Sequence, residues 1–175
     1  WLDSSEVRRL LPHVTAEQRG GLRCPVDAQA YPFRAVSSLL SRLRDGRAEL
    51  ITHTRVTGFR VEGSRVRAVI TEAGDVEADA VLLCAGPWSA EVGAMLGLPL
   101  AISPRRSQIL VTERVATRVV HPFVTGNSIY LRQTHAGNLM YGGGGTWESQ
   151  SFDTSSTTTA IARLTTRFLE VFPAF

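Results

Sequence analysis

The chain has 175 residues, 43% of them hydrophobic, and sets 19 basic against 16 acidic side chains for a formal net charge of +3 at pH 7. That length and apolar content give one substantial core or parts of two domains, and they exclude a mostly disordered chain. Every basic residue is an arginine, scattered among acids and apolar positions. An adjacent pair such as Arg105-Arg106 is too short to form a nucleic-acid stripe, so no nucleic-acid partner is expected.

The first predicted element is a short helix. Asp3 is placed to cap it, Glu6 lies three positions on to reach back, and Leu2 with Val7 forms an apolar clasp outside the first turn before Pro12 ends the helix. Gly20-Gly21 reads as a turn leading to a short extended segment. Pro32 opens a second helix in which Val36, Leu39, Leu40 and Leu43 make one apolar face, and Asp45-Gly46 closes it.

The spacing then becomes extended. Leu50 and Ile51 are expected in a strand, Phe59 and Val61 alternate into a hairpin at Gly63-Ser64, and Val66, Ala68 and Ile70 alternate out toward Gly74-Asp75, Val76 and Ala78. This is a three-stranded antiparallel ribbon. Ala80 to Cys84 is almost continuously apolar, as in a central strand covered on both faces, and it would bury Cys84. Ala85-Gly86 should lie at the strand exit. A helix is expected from near Trp88 to about Leu96, with Ser89 as its cap.

Further strands are expected at Gln108 to Thr112, Val119 to Val124, Ile129 to Gln133 and Leu139 to Tyr141, forming a mostly antiparallel second sheet. Gly142 to Gly145 is read as loop. A final helix presents Ile161, Leu164, Phe168 and Phe172 before Pro173. The fold class is therefore α/β plus α+β, with an appended antiparallel ribbon and a second, mixed or antiparallel sheet. The apolar ends suggest a chain cut from something larger.

Cys24 and Cys84 form no CxxC pattern, and His13, His53, His121 and His135 are dispersed, so no metal site is expected. The sequence contains neither a signal-like segment nor an apolar run near the ~20 residues that span a bilayer, which makes a cytoplasmic setting the expectation. The strand, small-residue turn and helix around Ala85-Gly86 admit two readings: a backbone approach to a nucleotide, or simple packing. Arg106 and Gln108 share one side of an extended segment and would line a cleft or brace a domain boundary, the boundary role being favoured. Arg132, flanked by Tyr130 and Gln133, offers a planar donor fork to a carboxylate, or pairs with an acid on the sheet surface.

Taken in order, Gly20-Gly21, Pro32, Thr54-Arg55-Val56, Gly74, Ala78-Asp79, Ala85-Gly86-Pro87-Trp88-Ser89, Pro104-x-Arg106-x-Gln108, Val111-Thr112-Glu113 and Tyr130-Leu131-Arg132-Gln133-Thr134 cover most of the chain. On these residues the sequence resembles the FAD-dependent amine and amino-acid oxidoreductases related to D-amino-acid oxidase, glycine oxidase and sarcosine oxidase, and within them the sarcosine oxidase beta subunit and D-hydroxyproline or proline dehydrogenase-like subunits. The resemblance implies FAD as cofactor and part of a Rossmann-like FAD-binding domain over residues 1–98, interleaved near its start with elements of the substrate domain. Residues 99–175 would be part of that substrate or interface domain.

The resemblance further implies that Val56, Ala85, Gly86 and Trp88 contact FAD, and that Arg132 and Tyr130 meet the substrate. The implied reaction is hydride transfer from an amino acid or secondary amine such as glycine, sarcosine, proline or hydroxyproline, leaving an imine. No residue reads as an obligatory acid or base. The implied partners are a small carboxylated amine and other flavoprotein subunits or a second copy of the chain. GxGxxG, the usual pyrophosphate cradle, is missing from the sequence. The chain is accordingly expected to be the central portion of an enzyme, the alternative being an inactive scaffold or interaction module.

Overall fold

In a computed structural model that describes residues 1–115, 118–143 and 152–175, the cap chemistry at the start of the chain forms as its spacing predicts. Strand β1 (Leu2–Asp3) leads into helix α1 (Ser4–Leu10), where the Asp3 carboxylate accepts the Glu6 N–H at 2.8 Å and the Glu6 carboxylate accepts the Asp3 N–H at 2.8 Å. These bonds satisfy two backbone donors that a helix start leaves open, and the first of them holds the Asp3 carboxyl below the usual carboxylate range. The next element, β2 (Gly20–Gly21), corrects the expected turn: it pairs antiparallel with β1. Glycine is needed for that pairing, because a Cβ on Gly20 would lie 2.6 Å from the Leu2 carbonyl oxygen.

Two compact units arise from the chain, one from residues 1–29 and 105–175, the other from 30–104. The second begins with helix α2 (Pro32–Asp45), ended by Gly46, whose N–H donates to the carbonyls of Arg42 and Leu43. Its predicted apolar face exists but is open, with Leu39 65% exposed. Then come β3 (Val56–Glu62), β4 (Arg65–Thr71) and β5 (Gly74–Glu77), an antiparallel meander in that order, as the alternation predicts. Ala68 on the middle strand is fully buried, and the ion pairs Arg60–Glu77 and Arg67–Glu62 lie along the ribbon surface.

Three expectations fail in this unit, two of them for one reason. Leu50-Ile51 and Ala80 to Cys84 are not strands; Leu82 is 86% exposed and Cys84 is exposed rather than buried. An apolar run becomes a central strand only when ladders form on both its edges, and among the described residues no strand pairs with either segment. The third concerns Ser89. A 3-10 turn over Gly86–Trp88 runs directly into α3 (Ser89–Ala94), so Ser89 is the first helical residue and is buried, while Trp88 holds the cap position. The helix stops short of Leu96, whose N–H closes a tighter turn onto Gly93.

The first unit resumes with β6 (Ile109–Arg114), β7 (Val124–Gly126), β8 (Ile129–Gln133) and β9 (Asn138–Gly143), an antiparallel sheet in the order β6-β9-β8-β7. The strand expected over Val119 to Val124 is only the short β7, because the N–H groups of Val119 and Val120 donate to the Gln133 side chain instead of to a ladder. Gly142 and Gly143 belong to β9 rather than to a loop, while Gly144 and Gly145 lie outside the described residues.

Helix α4 (Thr158–Val171) is capped by Thr157, whose hydroxyl accepts the Ala160 N–H at 3.2 Å. It covers one face of the sheet. Ile129, Leu131, Leu139 and Tyr141 pack there with Leu164, Phe168 and Phe172 of the helix region and with Val7 and Leu11. Tyr141 and Phe168 stack at 4.5 Å between centroids. Ile161, expected in this core, is exposed; Ala160 takes the inward position.

Phe168→Ala empties the centre of that stack and is expected to cost ~3–5 kcal/mol, whereas Ile161→Ala should cost under about 1 kcal/mol. Urea unfolding of the full-length polypeptide carrying these residues, followed by circular dichroism, measures both. Equal losses would contradict this assignment of the helix face.

Candidate functional site

Strand alternation sends every second side chain of β8 away from the core. Ile129, Leu131 and Gln133 are buried beneath the sheet, which leaves half-buried Tyr130 and Arg132 on its other face. Directly opposite them on β9 stand Gly142 and Met140, and beyond those on β6 stand Ile109 and Val111, both exposed. Helices α1 and α4 of this unit pack on the core side. Arg132 Nη2 lies 3.5 Å from Met140 Sδ, and the Tyr130 ring stacks with Phe123 at 6.1 Å and 21°.

The position of Tyr130 depends on Gly142. A Cβ there would come within 2.6 Å of the tyrosine Oη and 2.9 Å of the Gln108 carbonyl oxygen, so the phenol lies over bare backbone. Burial pushes the Tyr130 hydroxyl's pKa up, keeping it protonated and able to donate near neutral pH. A planar cation, a neutral phenol and apolar side walls thus share one open surface. Such a surface can grip a carboxylate through the guanidinium fork and pack an apolar body beside it.

Two-residue spacing therefore brings Tyr130 and Arg132 together as the sequence suggests. It did not reveal Phe123, Met140 or Gly142. The usable signal was glycine within a strand opposite an aromatic residue, but the four-glycine run obscured it.

Arg106 and Gln108 point elsewhere. Both are in step with Leu110, which packs on the core side, and both hold the lead-in to α4. Arg106 Nη1 donates to Asp153 Oδ2 at 2.5 Å and to Ser155 Oγ at 3.2 Å. Gln108 Nε2 donates to Thr157 Oγ1, and Gln108 Oε1 accepts the Thr157 N–H, both at 3.2 Å. The Ser155 N–H and hydroxyl, followed by Arg106, hold the Asp153 carboxyl below its usual range. These are bonds within the first unit, made to the start of a helix rather than on the open sheet face.

The four residues matched to a flavin contact belong to the other unit. Val56 opens β3 opposite Thr71 and is half-buried. Gly86 has φ +53°, with no heavy atom within 4 Å of where a Cβ would stand, so its backbone is accessible. Ala85 accepts the Trp88 N–H at 3.1 Å, and Trp88 is itself exposed. Open small-residue backbone beside apolar surface fits the ring-bearing parts of a dinucleotide. With GxGxxG absent from the sequence, these residues do not supply a pyrophosphate cradle. Among the described residues no three His, Cys, Asp or Glu side chains cluster as a metal site, both cysteines are free and exposed, and no helix is long and apolar enough to cross a membrane.

Comparison with known proteins matches residues 1–175 to the FAD dependent oxidoreductase (DAO) family. The chain is 34% identical over 166 residues to the hydrogen cyanide synthase subunit HcnC of Pseudomonas aeruginosa, covering 94% of this chain and 39% of that protein. It is 32% identical over 125 residues to glycine oxidase of the same species, covering 71% of this chain and 34% of that one. Its fold matches L-proline dehydrogenase from P. horikoshii with a TM-score of 0.92 at 23% identity, covering 99% of this chain and 48% of that structure. Glycine oxidase from Geobacillus kaustophilus matches with a TM-score of 0.90 at 24% identity, over 99% of this chain and 46% of that structure. The chain thus spans under half the length of these relatives.

Because Gly142 makes room for Tyr130, Gly142→Ala is expected to destabilise the full-length polypeptide by ~1–3 kcal/mol and to shift the tyrosine's near-ultraviolet dichroism. Gly126→Ala, whose Cβ would meet nothing within 4 Å, serves as the control and should stay within about 0.5 kcal/mol. Thermal unfolding that cannot tell the two apart would refute the close-passage argument.

Proposed function

The chain belongs to the FAD dependent oxidoreductase (DAO) family, and on that premise we propose that its open sheet face is the substrate wall of an enzyme oxidising a small carboxylated amine, on the scale of glycine, sarcosine, proline or hydroxyproline. The observation that carries this reading is the presence of Arg132 and Tyr130 on one open face, beside Met140 and Phe123 and opposite a sealed core. Relatives named glycine oxidase and sarcosine dehydrogenase support the substrate scale. Two relatives are named as subunits, which supports assembly with further chains.

In this reading Arg132 takes the substrate carboxylate in its planar fork and so fixes the orientation of the α-carbon. Tyr130, a neutral phenol whose pKa burial raises further, donates its hydroxyl toward the same group or the amine. Phe123 and Met140 keep water from the apolar side of the substrate. Acceptance of hydride from the α-carbon is the chemistry that bound FAD supplies. Val56, Ala85, Gly86 and Trp88 would hold that cofactor, the first three by backbone edges and Trp88 by its exposed ring. No side chain of this face is needed as an obligatory base, because the amine's own lone pair assists departure of the hydride.

Arg132→Lys keeps the charge and loses the fork, while Arg132→Ala loses both. In the full-length, flavin-loaded polypeptide both should retain FAD absorbance. The alanine variant should lose about 10- to 100-fold in kcat/KM toward carboxylated amines, the range of one charged hydrogen bond, with lysine between it and the parent. Unchanged efficiency in Arg132→Ala at full flavin content would return this residue to a surface role.

A further inference from the structure

A primary amide that is 93% or more buried has to satisfy one acceptor and two donors inside the protein, and Gln133, only 7% exposed, does so by tying two segments together. Its Oε1 accepts the N–H of Val119 at 2.8 Å and of Val120 at 3.2 Å, while its Nε2 donates to the Gly137 carbonyl at 3.0 Å. The grip on Gly137 is itself firm. That residue has φ +96°, and a Cβ on it would stand 2.9 Å from Arg114 Cγ, so the β8–β9 turn is closed against the end of β6. At the other end of this tie, Val120 is 1% exposed, anchored in the core.

Three residues past that anchor, with Pro122 removing one backbone rotation, the chain presents Phe123. Its ring stacks on Tyr130 yet stays 48% exposed. An aromatic ring held by a buried anchor, backed by a second ring and left half open is built as a wall rather than as core. It adjoins Tyr130, next but one to Arg132 on the same face of β8.

We infer that Phe123 determines which carboxylates this face accepts, favouring those with a ring-sized or branched apolar body over those no larger than a methyl group, and that Gln133 is the positioning residue that holds Phe123 there. The inference rests on the reading of Arg132 as the carboxylate-binding residue. It adds what that reading lacks: a discriminator for the part of the ligand remote from the carboxylate. Arg132 treats acetate and benzoate alike, whereas Phe123 acts on the second alone.

The test is calorimetric titration of the full-length, flavin-loaded polypeptide with acetate and with benzoate. Phe123→Ala, a surface change that leaves the core intact, should weaken benzoate about 2- to 10-fold, the range of one aromatic contact, and leave acetate unchanged. Gln133→Met keeps the side-chain volume but loses the bonds to Val119, Val120 and Gly137, and should lower the benzoate-to-acetate preference in the same way. Gln133→Glu keeps the acceptor for Val119 and Val120 and should restore much of that preference. A merely structural role for Gln133 would change both ligands together.

Loss of both ligands equally in Phe123→Ala, or of neither, overturns the inference even if Arg132→Ala abolishes both. A wild-type preference in Gln133→Met overturns the positioning role. Unchanged binding of both ligands in Arg132→Ala sinks the underlying reading of the site, and with it the inference, which keeps the two failures distinct.

Discussion

The sheet of the first unit has one sealed face, and that asymmetry governs the rest of the candidate site. Tyr141 stacks on Phe168, and Leu131, Leu139 and Leu164 are each 1% exposed or less around them. Side chains along a strand alternate, so sliding β8 by one residue would drive the Arg132 guanidinium into this apolar layer and turn Leu131 out to solvent. Burial of an unpaired guanidinium costs far more than any local adjustment gains. The core therefore fixes the direction of Tyr130 and Arg132 without touching either.

The second unit shows the opposite dependence. Its meander supplies its own ladders, since each strand pairs with the next in sequence through hairpins. The run Ala80 to Cys84 and the apolar stripe of α2 have no such local partner, and they remain exposed among the described residues. Hydrophobic pattern states what a segment would bury but not what covers it. That is why the same kind of evidence gave β3 to β5 correctly and gave a strand at 80–84 that does not form.

Much of the fold was legible because its determinants are local. The Asp3–Glu6 cap, Pro32 at a helix start, Gly63 at a hairpin and the alternation of β8 depend on neighbours a few residues apart. Of the candidate site, Tyr130 and Arg132 were legible through their spacing alone. Phe123 and Met140 were not, because their placement follows from register across strands and from a side chain, Gln133, that replaces a ladder with its own hydrogen bonds. Gly142 was misread for a related reason: four glycines in succession suggest loop, and the ring that requires one of them is twelve residues away in sequence.

Two arginines show how parity sets different surroundings for the same side chain in this unit. Arg106 is in step with the core side, and its side chain is only 14% exposed; Asp153 and Ser155 meet it where the chain enters α4. That ion pair sets a half-exposed carboxylate against a nearly buried charge. Arg132 is out of step with the core and lies along the soft sulfur of Met140 on an open surface. A thioether gives the guanidinium a soft, polarisable contact on that side. One arginine thus sits in an oxygen-rich shell that ties it to the fold, and the other lies on the strand face turned away from the core.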